Sequence, residues 1–337
     1  MARISKKKNV YTLIDPLREY LRTYDREYRL PLLYEDLLEY DDSVALIDKD
    51  MEDTLWETVI FPQLEVNNIH QGLKKIYALL RAGGDLSVMD HLFIERIDIC
   101  LYGNTRPFRV RIVNKINDNF DYFYIKKADA SRIYGLELEH LLSPNRISFL
   151  VHQETLIEEH IIGVPGDMFI KQYLNDRINK VRLAKEFVKF NERCFVRLLG
   201  DMHASNFVVD ITPDFEEVSY RLRAIDFDQQ SYEGRKVVYM PQYFKENNPI
   251  INLGIGTLTP ETVLQYQKEE RSLISRRYKA NANVDDLLRV MVTDIIAPEK
   301  NVRNLGQELA DHHKDGRFLG CKTMGQLVKL SLDRLMG

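Results

Sequence analysis

Leu199-Gly200-Asp201-Met202-His203-Ala204-Ser205-Asn206, followed after a short apolar segment by Ala224-Ile225-Asp226-Phe227-Asp228, decides how this chain reads. An aspartate and an asparagine five positions apart on a loop, with a second aspartate ending a buried strand, supply a base to orient a hydroxyl and two oxygen ligands suited to magnesium. Alone, Asp201 or Asn206 reads as a turn former, since both residue types bond nearby backbone and tolerate unusual dihedrals. Their register with Asp226 favours chemistry. His203 reads equally as a loop organiser and as a functional residue.

The flanking runs predict short strands around the loop: Cys194 to Leu199 leading in, Phe207 to Ile211 leading out, and Tyr220 to Ile225 returning after a turn at Thr212-Pro213-Asp214. Polar loop residues held between buried strands are where chemistry is usually placed.

The order Gly200-Asp201-x-His203-x-x-Asn206, then Ile225-Asp226-Phe227, resembles the catalytic and metal-binding loops of the aminoglycoside phosphotransferase and choline kinase branch of the protein-kinase-like superfamily. Leu199 stands where these families usually carry a histidine. Asp228 replaces the glycine of the protein-kinase metal motif, which favours the small-molecule branch. The resemblance implies an α+β, two-lobed fold with a β-rich small lobe and a helical large lobe. It implies ATP and Mg2+, with Asp201 as catalytic base beside His203, and Asn206 and Asp226 as metal ligands.

It also implies a strand lysine on the nucleotide phosphates, braced by a helix glutamate. Asp121 to Ala128 reads as an aromatic, β-branched strand carrying Lys126, the preferred lysine, and Lys127, the alternative. Side chains alternate along a strand, so one of the pair faces the nucleotide. Ile133 to Leu142 is helical in pattern, with Glu137 the favoured partner and Glu139 beside it. Strands at Arg146 to His152 and Glu154 to Ile162 precede a glycine and proline break. The second resembles the hinge, with Glu159 and Ile161 in the stretch whose backbone would meet adenine. From Ile97 to Ile116 the only glycine is Gly103, so a glycine-rich phosphate loop is missing, which weakens the protein-kinase reading; a catalytically silent kinase-like module and an atypical protein kinase are the alternatives.

Gly200-Asp201-Met202-His203 also resembles one block of the binuclear metallophosphoesterases. That family's aspartate-x-histidine and glycine-asparagine-histidine blocks are not found.

At 337 residues, with 45% hydrophobic and 29% charged, the composition is that of an ordinary globular protein. A net charge of -4 gives no electrostatic case for nucleic acid or membrane binding. The basic start Lys6-Lys7-Lys8 reads as a frayed terminus. Cys100, Cys194 and Cys321 show neither zinc-ligand nor disulfide spacing. With no signal-like apolar start or bilayer-length run, the expected location is the cytoplasm.

Three parts are expected: a helical N-terminal extension over residues 1–95, a kinase-like small lobe over 96–162 and a large lobe over 163–337. In the extension, Pro16 to Tyr28 and Ile69 to Arg81 carry helical patterns. Tyr34 to Glu57 is acidic, and Trp56 is expected to pack on the core. A protein partner could bind through this extension. Gln229 to Asn248 could shape the pocket for a small-molecule hydroxyl acceptor. Thr259 to Tyr278 and Val284 to Ile296 return to helical periodicity, the first capped by Thr259 before Pro260.

Overall fold

Phe108, Val110 and Ile112 are buried while the intervening Arg109 and Arg111 are half-exposed, the period-two pattern of a sheet with one face on a core. That sheet belongs to the first of two compact units, Met1–Asp129 with Ile147–His160; the second is Ala130–Arg146 with Ile161–Gly337. The computed structural model describes residues 8–48, 51–81, 83–103, 105–175, 178–213 and 218–336.

In the first unit, α1 (Asp15–Thr23) precedes the hairpin β1 (Asp42–Ile47) and β2 (Asp53–Ile60). Helix α2 (Val66–Arg81) leads into β3 (Leu92–Ile99), β4 (Phe108–Asn114) and β5 (Phe120–Lys127), and the chain returns later with β6 (Phe149–His152) and β7 (Thr155–Glu159). The strands form one seven-stranded sheet in the order β1-β2-β3-β4-β5-β7-β6, with antiparallel neighbours. Leu73, Ile76 and Leu80 of α2 join Ile97, Val110 and Phe123 in one buried cluster, placed by helical spacing on one side and strand alternation on the other.

Residues 1–95 are therefore not a helical extension: they contribute two strands and the first half of a third to the same sheet as the expected small lobe. The acidic stretch is largely the edge hairpin, in which β1 is the outermost strand of the sheet. Trp56 is half-buried on the sheet face, with the Arg109 guanidinium 4.2 Å from its ring centroid, rather than in the core. Lys6 and Lys7 lie outside the described residues.

The second unit begins with α3 (Ala130–Leu142), then β8 (Val164–Pro165) and the single turn α4 (Gly166–Met168), continued by a π turn at Phe169–Tyr173. Helix α5 (Lys180–Arg197) follows, capped by the Asn179 side chain, which accepts from Arg182 N at 3.1 Å. The run from Cys194 to Leu199, expected as a strand, is the last turn of this helix and its exit. Leu183, Phe187, Phe190 and Cys194 sit on its buried face at helical spacing, and Leu198 ends it at φ 54°. A short apolar run cannot by itself distinguish a strand from a buried helix end.

Strands β9 (Phe207–Pro213) and β10 (Val218–Ala224) pair antiparallel from Phe207 opposite Ala224 to Pro213 opposite Val218. The expected turn begins later than Thr212, because β9 includes Thr212 and Pro213; Asp214 lies outside the described residues. Helices α6 (Asn248–Thr257), α7 (Pro260–Ala280), α8 (Asn283–Met291), α9 (Glu299–His313) and α10 (Met324–Asp333) complete the unit. Thr259 caps α7 by accepting from Thr262 N at 3.3 Å. Helix α8 stops at Met291, short of Ile296. Among the described residues, no helix is long and apolar enough to cross a membrane.

Candidate active site

The β9–β10 hairpin brings the two halves of the motif together. Ile225 N donates to Asn206 O at 3.0 Å, so Asp226 emerges directly beside the end of the Asp201–Asn206 loop. That loop is closely braced. Gly200 N donates to Gln229 O at 3.1 Å, Asp201 N to Val238 O at 3.0 Å and His203 N to Asp201 O at 2.9 Å. The Asn206 amide donates to Asp201 O at 2.8 Å, and the Asn247 amide donates to Met202 O at 3.0 Å. Gly166 sits so near the loop that a Cβ there would meet Ala204 O at 2.5 Å. Asp201 is held at φ 62°, a sparsely populated conformation for a non-glycine residue and one often found at functional positions.

His203 Nδ1 accepts from Ser205 N at 3.3 Å, capping the short turn Ala204–Asn206. It organises the loop and lies near Asp201 electrostatically. Burial pushes the Asp201 carboxyl up from 3.8 to about 6, against the charge of His203 and helped by Asp226, Glu233 and Glu246. A carboxyl with this value is largely ionised at neutral pH yet more basic than an exposed aspartate, as a general base requires.

Asp226 is met by a residue to which the sequence reading assigned no role. Arg132, on α3 and 1% exposed, places one guanidinium nitrogen 2.7 Å from Asp226 Oδ1 and 2.7 Å from Asp228 Oδ1. Asp228 N also donates to Asp226 Oδ1 at 3.0 Å. Helix α3 lies close to this loop: Ser131 Oγ donates to Gln230 O at 2.6 Å, and a Cβ on Gly135 would meet Gln230 Cβ at 3.1 Å and Phe227 Cβ at 3.2 Å.

Among the described residues, no group of three or more histidine, cysteine or carboxylate side chains could hold a metal by itself. Magnesium bound with a nucleotide needs only one or two protein carboxylates or amides, because phosphates and water supply the rest. Asn206 spends its amide nitrogen on Asp201 O, which leaves Oδ1 as an acceptor. Asp226 accepts from Arg132 and from Asp228 N at Oδ1, which leaves Oδ2. An amide oxygen and a carboxylate oxygen are donor types that an ion delivered with a nucleotide accepts.

In the first unit, strand alternation separates the two lysines: Lys126 is 8% exposed and Lys127 is exposed. Lys126 Nζ lies 2.9 Å from Glu158 Oε2 on β7, so the carboxylate seen on this lysine belongs to a neighbouring strand, where a helix glutamate was expected. Glu137 is buried on α3 of the second unit. Glu139 faces Arg197 NH1 at 2.6 Å, which makes it a structural partner of α5. Glu159 N donates to Ser148 O at 3.1 Å, and its carboxylate pairs with Arg81. That N–H is committed to the strand end rather than offered to a base. Ile161, buried, opens the second stretch of the second unit.

Arg132 was missed because nothing local marks it. It lies 94 residues from Asp226, in a helix whose apolar pattern drew attention to its glutamates. The available signal was indirect: an arginine three residues before a helix glycine, with two aspartates to neutralise elsewhere. No protein-family model matches the chain, and no curated protein matches it at a significant level.

Proposed function

We propose that this protein is an ATP- and magnesium-dependent phosphotransferase that moves the γ-phosphoryl group to a hydroxyl of a small molecule, in the manner of the aminoglycoside phosphotransferases and choline kinases, and that it has a kinase-like fold. The observation that carries the reading is the bond between Ile225 N and Asn206 O, which gathers Asp201, Asn206 and Asp226 on one braced loop pair. The raised basicity of Asp201 supports it.

Asp201 orients the acceptor hydroxyl and takes its proton as the new bond to phosphorus forms and the bond to the ADP oxygen breaks. Asn206 and Asp226 would hold magnesium, which supplies charge neutralisation at the phosphate oxygens. His203 keeps the turn in shape. Lys126 is the candidate cation for the nucleotide phosphates. The segment from Gln229 to Asn248 supplies Val238 O and Asn247 to the loop, so an acceptor bound along it would sit on the structure that positions Asp201.

Calorimetric titration with ATP, with and without Mg2+, on wild type and Asp226→Ala tests this function. Magnesium-dependent binding that the variant loses, followed by ADP release with a hydroxyl acceptor, is the expected result. A second reading, a catalytically silent kinase-like module, draws on Arg132 partly neutralising Asp226. It predicts a folded protein that binds no nucleotide in either titration.

A further inference from the structure

The guanidinium of Arg132 is buried, while the Asp226 side chain that it meets is 38% exposed and that of Asp228 is 15% exposed. A cation therefore lies permanently behind the candidate metal ligand, on its protein side. Resting on the phosphotransferase reading of the site, we infer that Arg132 is a positioning residue that sets the charge of the metal site: it occupies Oδ1 of Asp226, turns Oδ2 outward, and keeps the site too weak to hold a divalent ion until nucleotide phosphates deliver one.

Two carboxylates side by side would attract a dication strongly. One guanidinium shared between them removes much of that attraction and repels the incoming ion at short range. The device is built in from three directions. Ser131 ties the start of α3 to Gln230 O, Gly135 permits the close approach of the helix to Phe227 and Gln230, and Asp228 N fixes the Asp226 rotamer through the same Oδ1. Asp228 is then a holder of Arg132 rather than a metal ligand, and its place next to Phe227 in the motif has a structural reason.

The test uses the full chain and Mn2+, followed by the electron paramagnetic resonance signal of the free ion, with and without ATP. In wild type, Mn2+ alone should bind weakly and Mn2+ with ATP tightly. Arg132→Gln should bind Mn2+ alone at least ~10-fold more tightly, because the repulsion is gone and both carboxylates are exposed to the ion. Asp228→Asn should act in the opposite sense and weaken Mn2+ with ATP several-fold, since more of the guanidinium charge then falls on Asp226. A purely structural role for Arg132 predicts weaker binding in both variants, and that result, or no change in either, overturns the inference. Should Arg132→Gln fail to fold by circular dichroism, Asp228→Asn decides alone: unchanged or tighter Mn2+ with ATP refutes it. Failure of the phosphotransferase reading shows separately, as wild-type binding of Mn2+ with ATP that Asp226→Ala leaves intact or that never occurs.

Discussion

The side-chain amide of Asn206 donates a 2.8 Å hydrogen bond to the backbone carbonyl of Asp201, so the candidate metal ligand also closes the loop that carries the candidate base. Asn206→Ala should therefore have two effects. Loss of the bond costs about 1 kcal/mol of stability, and loss of the oxygen ligand should lower affinity for Mg2+ with ATP by ~10-fold or more. Thermal melts and calorimetry separate the two. A variant destabilised to this extent that retains wild-type magnesium-dependent binding would remove Asn206 from the ligand set.

Asp201 makes a pH-dependent prediction. Its carboxyl is raised from 3.8 to about 6, first by burial, so the folded state favours the protonated form. The stability this contributes is fully present below pH 3.8 and is lost as pH rises through about 6. Asp201→Asn, which cannot ionise, should be more stable than wild type at pH 7, and the difference should shrink to nothing near pH 4. The variant should also bind Mg2+ with ATP but transfer no phosphate. Melting temperatures across this range check the first point; a variant less stable than wild type at pH 7 would contradict it.

The loop residues were legible because their spacing is local: Asp201, Asn206 and Asp226 flank the base of one hairpin, and the strands β9 and β10 announce themselves by apolar runs. The lysine strand was legible for the same reason. What escaped were contacts fixed by tertiary packing. Arg132 reaches Asp226 only because α3 docks on the 226–230 loop. The last turn of α5 looked like a strand because every position there is buried, which erases helical periodicity. The hairpin at residues 42–60 was hidden because its edge strand is mostly exposed and its burial does not alternate.

Lys126 and Lys127 should behave very differently. Lys126 is buried against Glu158 at 2.9 Å, so Lys126→Ala takes the cation away from a buried carboxylate and should cost about 3–5 kcal/mol. Lys127 is exposed, and Lys127→Ala should fall within ~0.5 kcal/mol of wild type. The double variant Lys126→Met with Glu158→Gln removes both charges and should recover most of the stability while nucleotide affinity stays low. Denaturant unfolding and ATP titration read the two quantities. Full nucleotide affinity in the folded double variant would confine Lys126 to a structural role.

Glu139 and Arg197 carry the opposite pH dependence to Asp201. Burial works to raise the Glu139 carboxyl, but the Arg197 guanidinium 2.6 Å away, Ser143 and Arg193 bring it below its ordinary 4.5. The pair's contribution is present above pH 4.5 and is lost as the pH falls below that value, through the lowered folded pKa. Arg197→Met should cost about 3–5 kcal/mol at pH 7, because Glu139 is left charged and buried. Adding Glu139→Gln to it should restore a large part. Arg197 O also accepts from the Gln230 amide at 2.6 Å, next to the loop that holds Asp226. Loss of the pair therefore loosens the exit of α5 and the 226–230 loop together, and Arg197→Met should lower Mg2+-dependent ATP affinity as well as stability. Unfolding at pH 7 and pH 4 tests the sign: a destabilisation that grows on acidification would show that the pair is not what holds this end of the helix.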